Sequence, residues 1–143
     1  MNQMPDNHFQ KTVPKLFTSF IDIHKLIDEY GIDRKLSHIV LLRASQINHC
    51  EYCIAMHTRE AKLDGETNQR LEKVESFRQH DCFLDREKLA LEWAEALTTL
   101  NTDTNYTDLR SRLAEQFNTT QISALTALVG MINIWNRIRI SEH

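Results

Sequence analysis

Cys50, Cys53 and His57 are the residues of this chain whose types and spacing point most directly to chemistry, a CxxC pair with a histidine four residues beyond its second cysteine. On a helix, positions i, i+3 and i+7 share a face, so the three side chains form one column with His57 a turn beyond Cys53. A thiolate rather than a thiol is the nucleophile, and a helix N-terminus or an adjacent imidazole raises the thiolate fraction near neutral pH. Attack of a thiolate on a peroxide leaves a sulfenic acid, which a second thiol nearby converts to a disulfide. Cys53, closest to His57, is the expected nucleophile. Cys50, the more N-terminal, is expected to be the more exposed of the two and to close the disulfide. His57 is the expected general base, directly or through one water, and a further polar group is needed to fix its ring.

Other chemistries use the same residues. Cys50, Cys53 and His57 are three ligands of a possible zinc site, with His49, His38 or His24 as a fourth, although structural zinc usually staples small loop-rich modules. A thioredoxin-like site normally follows a strand, whereas the residues before Cys50 carry helical periodicity. Dithiol redox chemistry therefore leads. Within it, a turning-over enzyme competes with a redox sensor or disulfide-exchange module that reacts once, and outside it stands a zinc-binding interaction protein.

The elements that must position these residues read as helices. Pro14 opens the first, with Leu16, Phe17, Phe20, His24 and Ile27 on one face until Tyr30 and Gly31 close it. Asp33 caps a second, carrying Leu36, Ile39, Val40 and Ile47, that runs directly into the cysteines. A third covers residues 50–63 and stops at Gly65. A polar fourth is expected over 67–78, followed by a loop ending at Asp85 as a cap. Leu89, Trp93, Ala96, Leu97 and Leu100 stripe a fifth, residues 107–117 form a shorter sixth, and Thr119 or Thr120 caps a last helix with Ile122, Leu125, Val129, Ile132 and Trp135 on one face. The fold class is all-α, a single-domain bundle of about seven helices spanning residues 1–143. No solenoid-period repeat or low-complexity tract interrupts it.

Composition agrees and narrows the function. Three Gly and two Pro among 143 residues leave few tight turns for a strand-rich fold. A net charge of −3 offers no basic footprint, so nucleic acid is not an expected partner. The first residues lack a charged stretch followed by an apolar run, and no segment nears the ~20 apolar residues that span a bilayer, so a cytoplasmic protein with no membrane contact is expected. In that compartment thiols are usually reduced, which favours catalytic or packed cysteines over a disulfide scaffold.

The segment LLRASQINHCEYCIAMHTREA at 41–61, followed by GETNQRL at 65–71, closely resembles the core motif of the AhpD-like alkylhydroperoxidases within the carboxymuconolactone decarboxylase family. LALEWAEALT at 89–98 and INIWNRIRIS at 132–141 are similar to later helices of that family. The resemblance implies an AhpD-like all-α fold assembling into trimers or hexamers, and thiol-dependent reduction of a small-molecule hydroperoxide. It also implies that Cys53 is the peroxidatic cysteine, Cys50 the resolving one and His57 part of the proton relay, with a thiol reductant protein as partner. No metal, flavin, haem or other cofactor is implied. The family's relay uses a glutamate 12 residues before the first cysteine, and here that position is His38. His38 can act as a weak base or hydrogen-bond through water, but it is not a permanent anion. Glu51, Glu92 or Glu95 is the alternative source of the charge. Lactone decarboxylation, which works without a CxxC pair, is not expected.

The remaining residues have plain readings. Cys82 is a packed or solvent-edge thiol. His8, His24, His49, His80 and His143 are solvated or hydrogen-bonded, with His49 placed to tune Cys50. Trp93 and Trp135 are core or interface anchors. The helices at 89–100 and 122–140 are apolar on more than one side, which favours a homo-oligomer.

Overall fold

A computed structural model describes residues 8–142, so the expectations concerning residues 1–7 and His143 lie outside the described residues. All regular elements among the described residues are helical: α1 (His8–Thr12), α2 (Pro14–Asp28), α3 (Arg34–Ile47), α4 (Glu51–Leu63), α5 (Asn68–Leu71), a 3-10 helix (Val74–Gln79), α6 (Asp85–Thr99), α7 (Tyr106–Leu113) and α8 (Thr119–Ser141). Six of these have seven residues or more. The all-α class is therefore as the composition and periodicity imply.

The apolar run through residues 39–42 makes α3 hydrophobic around most of its girth, and such a helix must be surrounded. It packs against α4, α6, α8 and the 3-10 helix, burying Leu36, Ile39, Val40 and Leu42 completely or nearly so. Its N-terminus is capped as expected, Asp33 accepting from the Leu36 N–H at 2.9 Å. Trp93 on α6 lies in this core, its indole N–H donating to Thr126 at 3.0 Å. The two-sided apolar character of α6 is satisfied inside the chain, between α3 and α8, and so is not in itself an argument for a subunit contact. Leu16, Ile21, Ile23 and Leu26 of α2 and the flanking Val13 and Tyr30 are exposed, as are Ile134 and Ile140 of α8; Leu16 is 45% exposed and does not join the buried face expected of it.

Several boundaries differ from the sequence reading. Residues 67–78 do not form one helix: α5 ends after a single turn, and Ser76 departs from helical geometry within the 3-10 segment. Arg70 explains what holds this region, pairing with Glu66 at 2.9 Å and Glu87 at 2.6 Å and donating to the Cys82 carbonyl. Tertiary ion pairing replaces regular structure here. Asp85 is the first residue of α6 rather than its cap; the Leu84 N–H is taken by Glu87 at 2.8 Å. α7 ends at Leu113, short of Phe117. For α8 the cap is Asn118, not Thr119 or Thr120, because Asn118 and Gln121 satisfy each other's backbone N–H reciprocally.

Candidate active site at the start of the fourth helix

α3 does not run into the cysteines. Asn48 ends it, the His49 and Cys50 N–H groups return to the Gln46 and Ser45 carbonyls at 3.2 and 3.0 Å, and His49 takes a left-handed φ of 56°. This is a Schellman-type stop, with histidine in a position that glycine usually fills. α4 then begins at once. Cys50 is its N-cap, and the Cys50 Sγ accepts the Cys53 N–H at 3.3 Å. A polar cluster pins the turn to α8: Asn136 donates to Ser45 at 3.0 Å, and Asn48 donates to Asn136 and Asn133 at 2.8 and 2.9 Å.

Cys50 and Cys53 are joined as a disulfide, with Cα atoms 5.2 Å apart. Both are buried, Cys50 at 2% and Cys53 at 1% exposure, so the expected contrast in exposure between the two is almost nil. The cap position turns the Cys50 side chain inward beneath the turn. Cys53 lies in the wall of a cavity of about 320 Å³ bounded by α2, α3, α4 and α8. Phe17, Ile21, Leu41, Met56, Ile132 and Trp135 make most of its wall apolar, and His24, His57, Glu60 and Arg139 supply its polar groups. Trp135 is fixed by edge contacts with Phe9, Phe17 and Phe20. Arg139 is 3% exposed, stacked over Tyr52 and 3.4 Å from Glu142.

The electrostatics centre on His57, whose two ring nitrogens are buried without a hydrogen-bond partner in the structure. Glu60, one turn on, stands 3.7 Å from His57 Nδ1, an ion-pair distance rather than a hydrogen bond. The neighbouring imidazole holds the Glu60 carboxyl below the usual carboxylate range, against partial burial and with weaker help from His38 and Arg59. Burial pushes His24 below the ordinary histidine range, Asp28 opposing. His24 Nε2 accepts the Trp135 indole N–H at 2.8 Å, which assigns the proton of a neutral ring to Nδ1.

Thus Cys50, Cys53 and His57 come together as the spacing implies. His38 is buried but does not line this cavity; its Nε2 donates to Asp64 at 2.5 Å, and Asp64, which also accepts from Arg34 at 3.0 Å, is held below its usual range by these partners. Glu92 is bound to Arg112, Glu95 to Arg43 and Arg78, and Glu51 is exposed, so none of the three stands beside His57. The carboxylate that does is Glu60. The signal in the sequence was the i+3 spacing of Glu60 from His57, which puts the two on one helix face. Among the described residues no three His, Cys, Asp or Glu side chains are grouped as a metal site.

The carboxymuconolactone decarboxylase family pattern matches residues 14–96, which include the cysteine pair and its histidine. The chain belongs to this family. The uncharacterized protein YdfG of Bacillus subtilis is 31% identical over 133 residues, covering 93% of this chain and 90% of YdfG. The uncharacterized protein YnjA of Escherichia coli is 33% identical over 103 residues, covering 72% of this chain and 56% of YnjA. Among solved structures, an Agrobacterium tumefaciens protein of unknown function, provisionally assigned as the antioxidant defence protein AhpD, has a TM-score of 0.87 at 28% identity over 94% of this chain and 92% of its own. The debrominase Bmp8, as a variant in complex with 2,3,4-tribromopyrrole, shares the fold with a TM-score of 0.84 at 18% identity over 97% of this chain and 75% of its own. The fold is AhpD-like, and among the described residues no helix is long and apolar enough to cross a membrane.

Proposed function

We propose that this protein is a thiol-dependent peroxidase that reduces hydroperoxides through a Cys50–Cys53 dithiol cycle. The observation that carries the reading is a bonded cysteine pair with one member, Cys53, in a cavity wall shared with an imidazole whose ring nitrogens make no hydrogen bond and whose Nδ1 faces Glu60. In the reduced protein His57, four residues on along α4, takes the Cys53 proton. The thiolate attacks the distal peroxide oxygen, the O–O bond breaks, and the alcohol leaves with one proton while Cys53 becomes a sulfenic acid. Cys50 then attacks that sulfur, water departs, and the disulfide forms. An external thiol reductant supplies the two electrons that reopen it, so the cycle needs no metal or organic cofactor. Membership of a family with AhpD-type relatives supports this assignment.

Peroxide consumption with dithiothreitol as reductant tests it. Wild type should turn over many equivalents. Cys53→Ser should abolish turnover, Cys50→Ser should slow it or stop it after one equivalent, and His57→Ala should slow it by about 10²-fold. Consumption by wild type that stops at one equivalent would make the protein a stoichiometric redox sensor instead.

A further inference from the structure

His24 lines the same cavity as Cys53 and His57, and the dithiol cycle gives it no task. On α2, Phe17, Ile21 and His24 follow one another at i, i+4 and i+7, a spacing that presents all three to the cavity. The indole N–H of Trp135 can only donate, so its 2.8 Å bond to His24 Nε2 requires a lone pair on that nitrogen and a neutral ring. Burial, which pushes His24 below the ordinary histidine range, favours the same form. Nδ1 then carries the proton. Among the described residues none accepts that proton, so it is open to a molecule in the cavity. Trp135 is itself gripped by Phe9, Phe17 and Phe20, so the donor is fixed in orientation before any substrate enters.

We propose that His24 Nδ1–H donates a hydrogen bond to the peroxide oxygen that leaves with the O–O bonding electrons, which makes His24 a catalytic residue supplied from outside the cysteine motif. The inference rests on the peroxidase reading above and adds a group to its first step. Cys53 Sγ bonds to the distal oxygen, the O–O bond breaks, and its electron pair stays on the proximal oxygen. The proton that neutralises that oxygen is the one His57 took from Cys53; His24 keeps its own and stabilises the charge while it develops. The other polar groups of the wall are engaged: His57 with the thiol proton, Glu60 as the anion beside His57, and Arg139 with Glu142 and Tyr52. At about 320 Å³ the cavity holds about ten water-sized groups at roughly 30 Å³ each, so a hydroperoxide of a few heavy atoms in reach of Cys53 also meets the α2 wall.

The test compares leaving groups in a single turnover. Reduced protein is mixed with peroxide dilute enough for the first attack to limit the rate, quenched in acid and alkylated, and the Cys50–Cys53 disulfide is counted by peptide mass spectrometry. The alkoxide expelled from tert-butyl hydroperoxide is strongly basic and needs the donor; the carboxylate expelled from peracetic acid does not. His24→Phe should slow the first reaction at least tenfold and the second by less than about threefold. His24→Gln, which keeps an N–H donor and an acceptor for Trp135, should stay within about threefold of wild type with both. Trp135→Phe, which removes the bond that fixes the tautomer and leaves His24 in place, should repeat the selective loss at a smaller size, at least about threefold.

An equal loss with both peroxides in His24→Phe and Trp135→Phe marks a structural role and overturns the inference, and so does no loss with either peroxide. Wild type that reduces neither peroxide removes the peroxidase reading and this inference with it. Wild type that reduces both, with no leaving-group effect in the variants, removes the inference alone.

Discussion

Asn136→Ala removes the side chain that ties the cysteine-bearing turn to α8. Asn136 is fully buried, accepting from Asn48 at 2.8 Å and donating to Ser45 at 3.0 Å. Two hydrogen bonds at about 1 kcal/mol each are lost. A void of about 30 Å³ at about 24 cal/mol per Å³ adds roughly 0.7 kcal/mol. The damage is limited because Ser45 still donates to Leu41 at 2.8 Å and Asn48 keeps Asn133 at 2.9 Å. The sum is about 3 kcal/mol. Urea denaturation of the oxidised protein should show that loss with the slope of the transition unchanged. Combined with Asn48→Ala, the losses should fall short of additive by at least about 0.5 kcal/mol, since the two side chains share a bond. A loss below about 1 kcal/mol, or strict additivity, would refute the claim that this cluster holds the turn.

Two further outcomes are expected. Arg70→Met leaves Glu66 and Glu87, 7% and 8% exposed, without their cation, and should cost at least about 3 kcal/mol in denaturant titration. Glu60 has a folded-state pKa below its unfolded value, so its contribution is complete above the unfolded carboxylate range and is lost as pH falls through the lower folded value. At 48% side-chain exposure that contribution is held by solvent screening to about 0.5 kcal/mol. The stability gap between wild type and Glu60→Gln should therefore shrink between pH 6 and pH 3, and a gap that widened would contradict the sign.

The sequence by itself determined the helical class, the CxxC column with His57 and the family, because each rests on local spacing. Apolar residues at helical periods, Asp33 before α3, Pro14 at the start of α2 and Gly65 after α4 act within a turn or two of the chain. What failed was local in one case and tertiary in the other. Asn118 competed with Thr119 and Thr120 for one cap, and the 67–78 segment lost its helix to an arginine whose partner Glu87 lies 17 residues away.

Only the tertiary structure decided which sulfur faces a cavity and which carboxylate stands by His57. The cavity wall takes Phe17 and His24 from α2, Cys53 and Glu60 from α4, and Ile132 and Trp135 from α8, side chains separated by more than a hundred positions. Glu92 and Glu95 were plausible relay groups until Arg112, Arg43 and Arg78 claimed them. Burial of Cys50 likewise follows from the left-handed turn at His49 and the clamp of α8 on that turn, and spacing along a chain carries no information on how far a cap position lies from water.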